Sequence, residues 1–82
     1  MQKHTKPKLI HEFNKNASEV IRVQLVKYNN KNLLDVRVWV LKNEKDYVST
    51  KKEISFRIDQ VDSLKQAIDK AAEELARWKR DI

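Results

Sequence analysis

Apolar and polar side chains alternate along two stretches of the chain separated by Asn29-Asn30, which is the period of half-buried β-strands. In the stretch Glu19 to Tyr28, Ile21, Val23 and Leu25 share one face while Arg22 and Gln24 share the other. In Leu33 to Leu41 the sorting is cleaner: Leu34, Val36, Val38 and Val40 make an apolar face, and Leu33, Asp35, Arg37 and Trp39 the opposite one. A weaker first strand is expected over Lys8 to Phe13. A fourth is expected in two pieces, Asp46 to Val48 and Glu53 to Ile58, joined by the polar run Ser49-Thr50-Lys51-Lys52. Ile54, Phe56 and Ile58 then point inward. The chain has no glycine, so turns that need positive φ fall to asparagine, the next most tolerant residue. The groups Asn14 and Asn16, then Asn29, Asn30 and Asn32, then Asn43 separate the segments accordingly, and Asn29-Asn30 suits a tight hairpin.

From Asp59 the period changes to that of a helix. Val61, Leu64, Ile68, Ala71, Leu75 and Trp78 follow a three-four spacing, broadened by Ala67 and Ala72. Asp59 can cap the first turn, Asp62 complements the positive end of the dipole, and Arg77, Lys79 and Arg80 complement the other end. One sheet face cannot cover so long a stripe, so its far end is expected to reach beyond its own sheet. Leu64, Ile68, Leu75 and Trp78 are the candidate dimer interface. Residues 1–7 read as a flexible basic tail closed by the chain's one proline, and 8–82 as a single ββββα domain.

Size sharpens that expectation. A domain of 82 residues buries only about 60% of the surface its unfolded chain exposes. Without cysteine neither disulfides nor cysteine-ligated zinc can supplement a thin core, which leaves oligomerisation. No apolar run approaches the ~20 residues needed to span a bilayer, and the start lacks a signal-peptide apolar region. The reading is a soluble intracellular protein with no membrane partner, placed in the cytoplasm or nucleoid, or in the nucleus of a eukaryote.

Charge points to a class of partner. The formal net charge is +6, and 18 Lys and Arg outnumber 12 Asp and Glu. The excess belongs to residues 1–57, with 13 basic and 6 acidic side chains, while 58–82 hold 5 and 6. Such a surface attracts polyanions by releasing their counterions, nucleic acid first; the same lysines would also simply keep a small protein soluble. Catalysis finds no foothold. His4 and His11 are too few and too far apart for a metal site, Ser18, Ser49, Ser55 and Ser63 lack a nucleophile context, and no glycine-rich phosphate loop exists. The expectation is a non-enzymatic protein with no cofactor and no metal.

What remains is a set of cations interleaved with aromatics: Arg22, Lys27, Tyr28, Lys31, Arg37, Trp39 and Tyr47, with Lys51 and Lys52 nearby. Cations that track phosphates and rings that stack on bases are the ingredients for gripping a single strand, DNA or RNA. The competing assignment has Tyr28 and Trp39 covering a second apolar layer, with the basic face and helix stripe binding an acidic protein partner.

The segments Ile21 to Tyr28, Leu33 to Trp39, and Thr50-Lys51-Lys52-Glu53-Ile54-Ser55 before a long helix resemble, in order and spacing, the single-stranded-DNA-binding domain of the positive cofactor four family of transcriptional coactivators. The resemblance covers roughly residues 9–78. It implies an α+β fold: a four-stranded curved antiparallel sheet followed by one long C-terminal helix, homodimeric, holding single-stranded DNA in transcription regulation or in DNA replication, recombination or repair. Tyr28, Lys31, Arg37, Lys51 and Lys52 fall on the family's contact positions. Asn30 and Glu53 stand where the family usually has glycine, and Val40 where it has a second aromatic.

Overall fold

The computed structural model describes residues 6–81. Of the basic tail expected over 1–7, residues 1–5 lie outside the described residues, and Lys6 and Pro7 carry no regular structure. The elements run β1 (Lys8–Asn14), β2 (Glu19–Tyr28), β3 (Lys31–Leu41), β4 (Tyr47–Arg57) and α1 (Ile58–Asp81). The strands form one antiparallel sheet in the order β1-β2-β3-β4, each paired with its neighbour in sequence.

Local chemistry accounts for the joins. Tyr28 pairs with Lys31 across the two-residue turn Asn29-Asn30, whose φ angles of 49° and 63° are the left-handed pair that a tight hairpin requires. Between β1 and β2 the Asn16 carboxamide oxygen accepts from the Ser18 and Glu19 amides, and its nitrogen donates to the Glu19 carboxylate. That amide first, and Lys15 second, hold the Glu19 carboxyl below its ordinary pKa. The third turn differs from expectation, because Glu44 rather than Asn43 takes the positive φ, at 70°. The Lys42 amide bonds the Asp46 carbonyl across it at 2.7 Å.

Two further expectations are corrected. β4 is one continuous strand, and the polar run lies inside it as a bulge: Arg37 pairs with Glu53 and Trp39 with Ser49, so three residues of β4 span the single residue Val38. Thr50 closes this bulge, its hydroxyl donating to the Val38 carbonyl at 2.7 Å and accepting from the Lys52 amide at 3.2 Å. Backbone groups that a loop would have left to water are thereby satisfied. The helix starts at Ile58, one residue early, so Ile58 is an exposed helical residue instead of an inward strand residue. Its first turn is capped by Gln60, whose side-chain oxygen accepts from the Arg57 amide at 2.9 Å, half of a capping box. Asp59 sits inside the turn and pairs with Arg57.

Directly paired residues share a face of the sheet. One, the Trp39 face, carries Arg22, Gln24, Val26 and Tyr28 from β2 with Lys31, Leu33, Asp35, Arg37 and Trp39 from β3; the other, the Val38 face, carries Ile21, Val23, Leu25 and Lys27 with Leu34, Val36 and Val38. Only Val20 and Val38 are buried hydrophobic residues among those described. Leu34, Val36 and Val40 are half-buried, and Ile54, which pairs with Val36 on the same apolar face as expected, is left exposed. The cause is a missing layer. Among the described residues helix α1 touches β3 and β4 and no other strand, and the molecule is 56 Å long but 18 Å thick. Along the helix Leu64 is half-buried while Ile68, Leu75 and Trp78 are exposed.

Candidate nucleic-acid interface

The register gathers five of the eight residues singled out for binding, Arg22, Tyr28, Lys31, Arg37 and Trp39, onto the Trp39 face. A hollow runs along this face from Tyr28 past Leu33 and Asp35 to Trp39, flanked by Gln24, Ser49 and Ser55. Tyr28 stands at its end with 68% of its surface exposed, the most open of the exposed large apolar and aromatic residues. Lys31, its direct partner across the hairpin, is exposed as well.

The middle of the face is a four-strand row of charges, Glu12, Arg22, Arg37 and Glu53, one from each strand in direct register. Arg22 and Arg37 therefore face each other as like charges, a costly pairing unless each is compensated. The compensation differs. Arg37 is bound on three sides: Nε and Nη2 donate to the two Asp35 carboxylate oxygens at 3.2 Å, and Nη1 donates to the Thr50 carbonyl at 2.8 Å. Asp35, first of the causes, raises the Arg37 pKa above its already high ordinary value. Asp35 is 5% exposed, so this pair ties a buried carboxylate to the β4 bulge. Arg22 donates through Nε alone to Glu12 at 2.6 Å, and its guanidinium carbon lies 4.4 Å from the Trp39 ring centre and 5.7 Å from that of Tyr47. The Trp39 indole N–H is buried without a partner among the described residues. The Glu53 carboxylate accepts from the Ser55 hydroxyl.

Lys27, Lys51 and Lys52 are not brought to the middle of that face. Lys27 lies on the Val38 face and borders a hollow at the hairpin end with Lys6, Lys8 and Ile58. Lys51 and Lys52 belong to the bulge of β4, an edge strand. Lys52 borders an apolar hollow lined by Ile21, Val36, Val38 and Ile54, and is close enough to attract the Glu19 carboxylate. Sequence reasoning missed Glu12 and Thr50. Glu12 is recognisable only once the β1 register is known, and a break between Leu9 and His11 shifts that register. Among the described residues no group of three or more His, Asp or Glu could hold a metal ion, and no helix is long and apolar enough to cross a membrane.

A family model described as Transcriptional Coactivator p15 (PC4) matches residues 15–67. Among solved structures the chain resembles a PC4 homolog from Burkholderia pseudomallei K96243 in two crystal forms. The orthorhombic form gives a TM-score of 0.79 at 27% identity, covering 89% of this chain and 99% of that one. The tetragonal form gives 0.76 at 28% identity, covering 82% and 98%. A bacteriophage T5 homolog of the eukaryotic transcription coactivator PC4, implicated in recombination-dependent DNA replication, shares the fold with a TM-score of 0.69 at 18% identity over 88% of this chain and 83% of that one. A search of curated proteins finds no match.

Proposed function

The chain belongs to the PC4 family of transcriptional coactivators, and from that premise we propose that it is a non-enzymatic homodimer that holds single-stranded DNA on the Trp39 face of its sheet. One observation supports this most: the exposed Tyr28 ring, Lys31, and the Arg22 and Arg37 pair follow one hollow on one face. Two of the acidic groups on that face are paired with cations, Glu12 with Arg22 and Asp35 with Arg37, while Glu53 accepts from the Ser55 hydroxyl and keeps its charge. The lysines around it are exposed and supply the net attraction. Tyr28 provides a ring face to a base, and any base has a face to offer, so the grip is tolerant of sequence. Lys51 and Lys52 at the sheet edge take the strand's phosphates as it leaves the face, and Lys27 does so at the hairpin. Such a protein keeps an unwound strand open for transcription or for replication, recombination and repair.

The test is a binding titration with single-stranded DNA, duplex DNA and RNA of equal length. The single strand is expected to bind at least about tenfold more tightly than the duplex, which is within the contribution of one stacked base. Equal affinity for single strand and duplex would contradict the proposal, since charge alone would then account for binding.

A further inference from the structure

We propose that Glu12 and Trp39 together position Arg22 as a forked phosphate ligand, so that Trp39 serves the single strand as the seat of a cation and not as a platform for a base. The inference rests on the single-strand reading above and assigns roles within the same face.

A guanidinium carries five N–H donors in a rigid planar fork. In Arg22 the Nε–H is taken by Glu12 at 2.6 Å, and no other hydrogen bond from Arg22 occurs among the described residues. Four donors on Nη1 and Nη2 are therefore unspent, on a side chain only 23% exposed. Glu12 holds the Nε edge, and Trp39 lies 4.4 Å from the guanidinium carbon. That distance is well inside the ~6 Å within which a ring face attracts a cation. These contacts, with the Tyr47 ring 5.7 Å from the same carbon, leave the Nη edge as the one that can meet a phosphate in the paired, two-bond geometry that arginine favours. Arg37 cannot fill this role equally, because it already spends donors from all three of its nitrogens on Asp35 and Thr50. The two arginines are also direct cross-strand partners, and an anion at the Nη edge of Arg22 relieves their mutual repulsion. A ring engaged by Arg22 is not free to stack a base on that side. This leaves base stacking to the open Tyr28.

The experiment is a fluorescence-anisotropy titration of the full chain with a labelled single-stranded oligothymidylate, comparing four single variants and one double variant checked for folding by circular dichroism. Glu12→Gln keeps the acceptor oxygen and removes a charge of the wrong sign, so it is expected to bind as tightly as the unmodified chain or more so. Glu12→Ala removes the acceptor and is expected to bind about three to ten times more weakly, a loss in the range of one ordinary hydrogen bond. Arg22→Lys keeps the charge but not the fork and is expected to lose about tenfold. Trp39→Leu is expected to lose affinity in the unmodified chain but little in an Arg22→Lys background, because its effect passes through Arg22. Equal tightening by Glu12→Gln and Glu12→Ala would overturn the proposal, since Glu12 would then act only as a charge. Full affinity in Arg22→Lys would overturn it as well. Glu12→Gln and Arg22→Lys are mild changes and keep the test decisive if Glu12→Ala or Trp39→Leu fails to fold. Absence of binding by the unmodified chain would remove the single-strand reading itself, an outcome distinct from either of these.

Discussion

Replacing Arg37 with alanine is expected to destabilise the domain by about 3 kcal/mol, the lower end of the cost of stranding one partner of a buried ion pair. The lower end applies because the Arg37 side chain is 29% exposed while that of Asp35 is 7% exposed. The carboxylate loses both of its bonds to arginine, and the Thr50 carbonyl loses the donor that ties the bulge to β3. At roughly 0.05–0.15 kcal/mol per residue such a chain has little to spare, and each kcal/mol moves Tm by about 4–8 °C in a domain of this size. Thermal unfolding of Arg37→Ala should therefore show Tm lowered by more than about 10 °C. Arg37→Lys should fall between, since an ammonium cannot bridge Asp35 and Thr50 in the same geometry. Lost nucleic-acid binding in the alanine variant would then follow from lost fold. A variant as stable as the unmodified chain would show that the Asp35–Arg37–Thr50 link is not structural.

The second large effect is expected at the helix. Ile68, Leu75 and Trp78 leave 57%, 54% and 62% of their surfaces open, on a helix of 24 residues that meets only two strands. The Val38 face is also incompletely covered, with its hollow lined by Ile21, Val36, Val38 and Ile54. A second copy of the chain would cover both, and a two-fold contact buries each side chain twice. Full burial of one large apolar side chain is worth about 1.5–3 kcal/mol, and the dimer contact would add this for each such side chain on both copies. The unmodified chain should sediment as a dimer at micromolar concentration, with Tm rising as protein concentration rises. The double variant Ile68→Glu, Leu75→Glu should be monomeric and largely unfolded. A folded monomer whose Tm is independent of concentration would contradict the homodimer.

These two sites differ in how far the sequence alone discloses them. The β2–β3 hairpin is legible because alternation fixes its faces and Asn29-Asn30 can take the left-handed pair of angles without glycine. The helix stripe is legible for the same reason of period. The β4 bulge is not, because Ser49-Thr50-Lys51-Lys52 reads as a polar loop until Arg37 and the Thr50 hydroxyl are seen to satisfy its backbone groups. Apolar alternation also misleads about burial. It makes Leu34, Val36 and Val40 look like a finished core, whereas the buried residues among those described are Val38, Val20 and the charged Asp35. Val20 lies on the Trp39 face, the direct register partner of Trp39, and is better covered there than the apolar face is by the single helix. The Glu12–Arg22 pair depends on a register that an irregular β1 sets, and no local pattern announces it.

The central claim is that the strand lies on the Trp39 face, and methyl resonances separate the two faces directly. Val26 and Leu33 are on the Trp39 face, while Ile21 and Val36 are on the Val38 face and Ile54 borders the same hollow as they do. Titrating a methyl-labelled chain with a single-stranded oligothymidylate should shift Val26 and Leu33, with Ile21, Val36, Ile54 and Ile68 largely unmoved. Shifts concentrated at Ile21, Val36 and Ile54, with Val26 and Leu33 silent, would contradict the claim and place the nucleic acid on the opposite face.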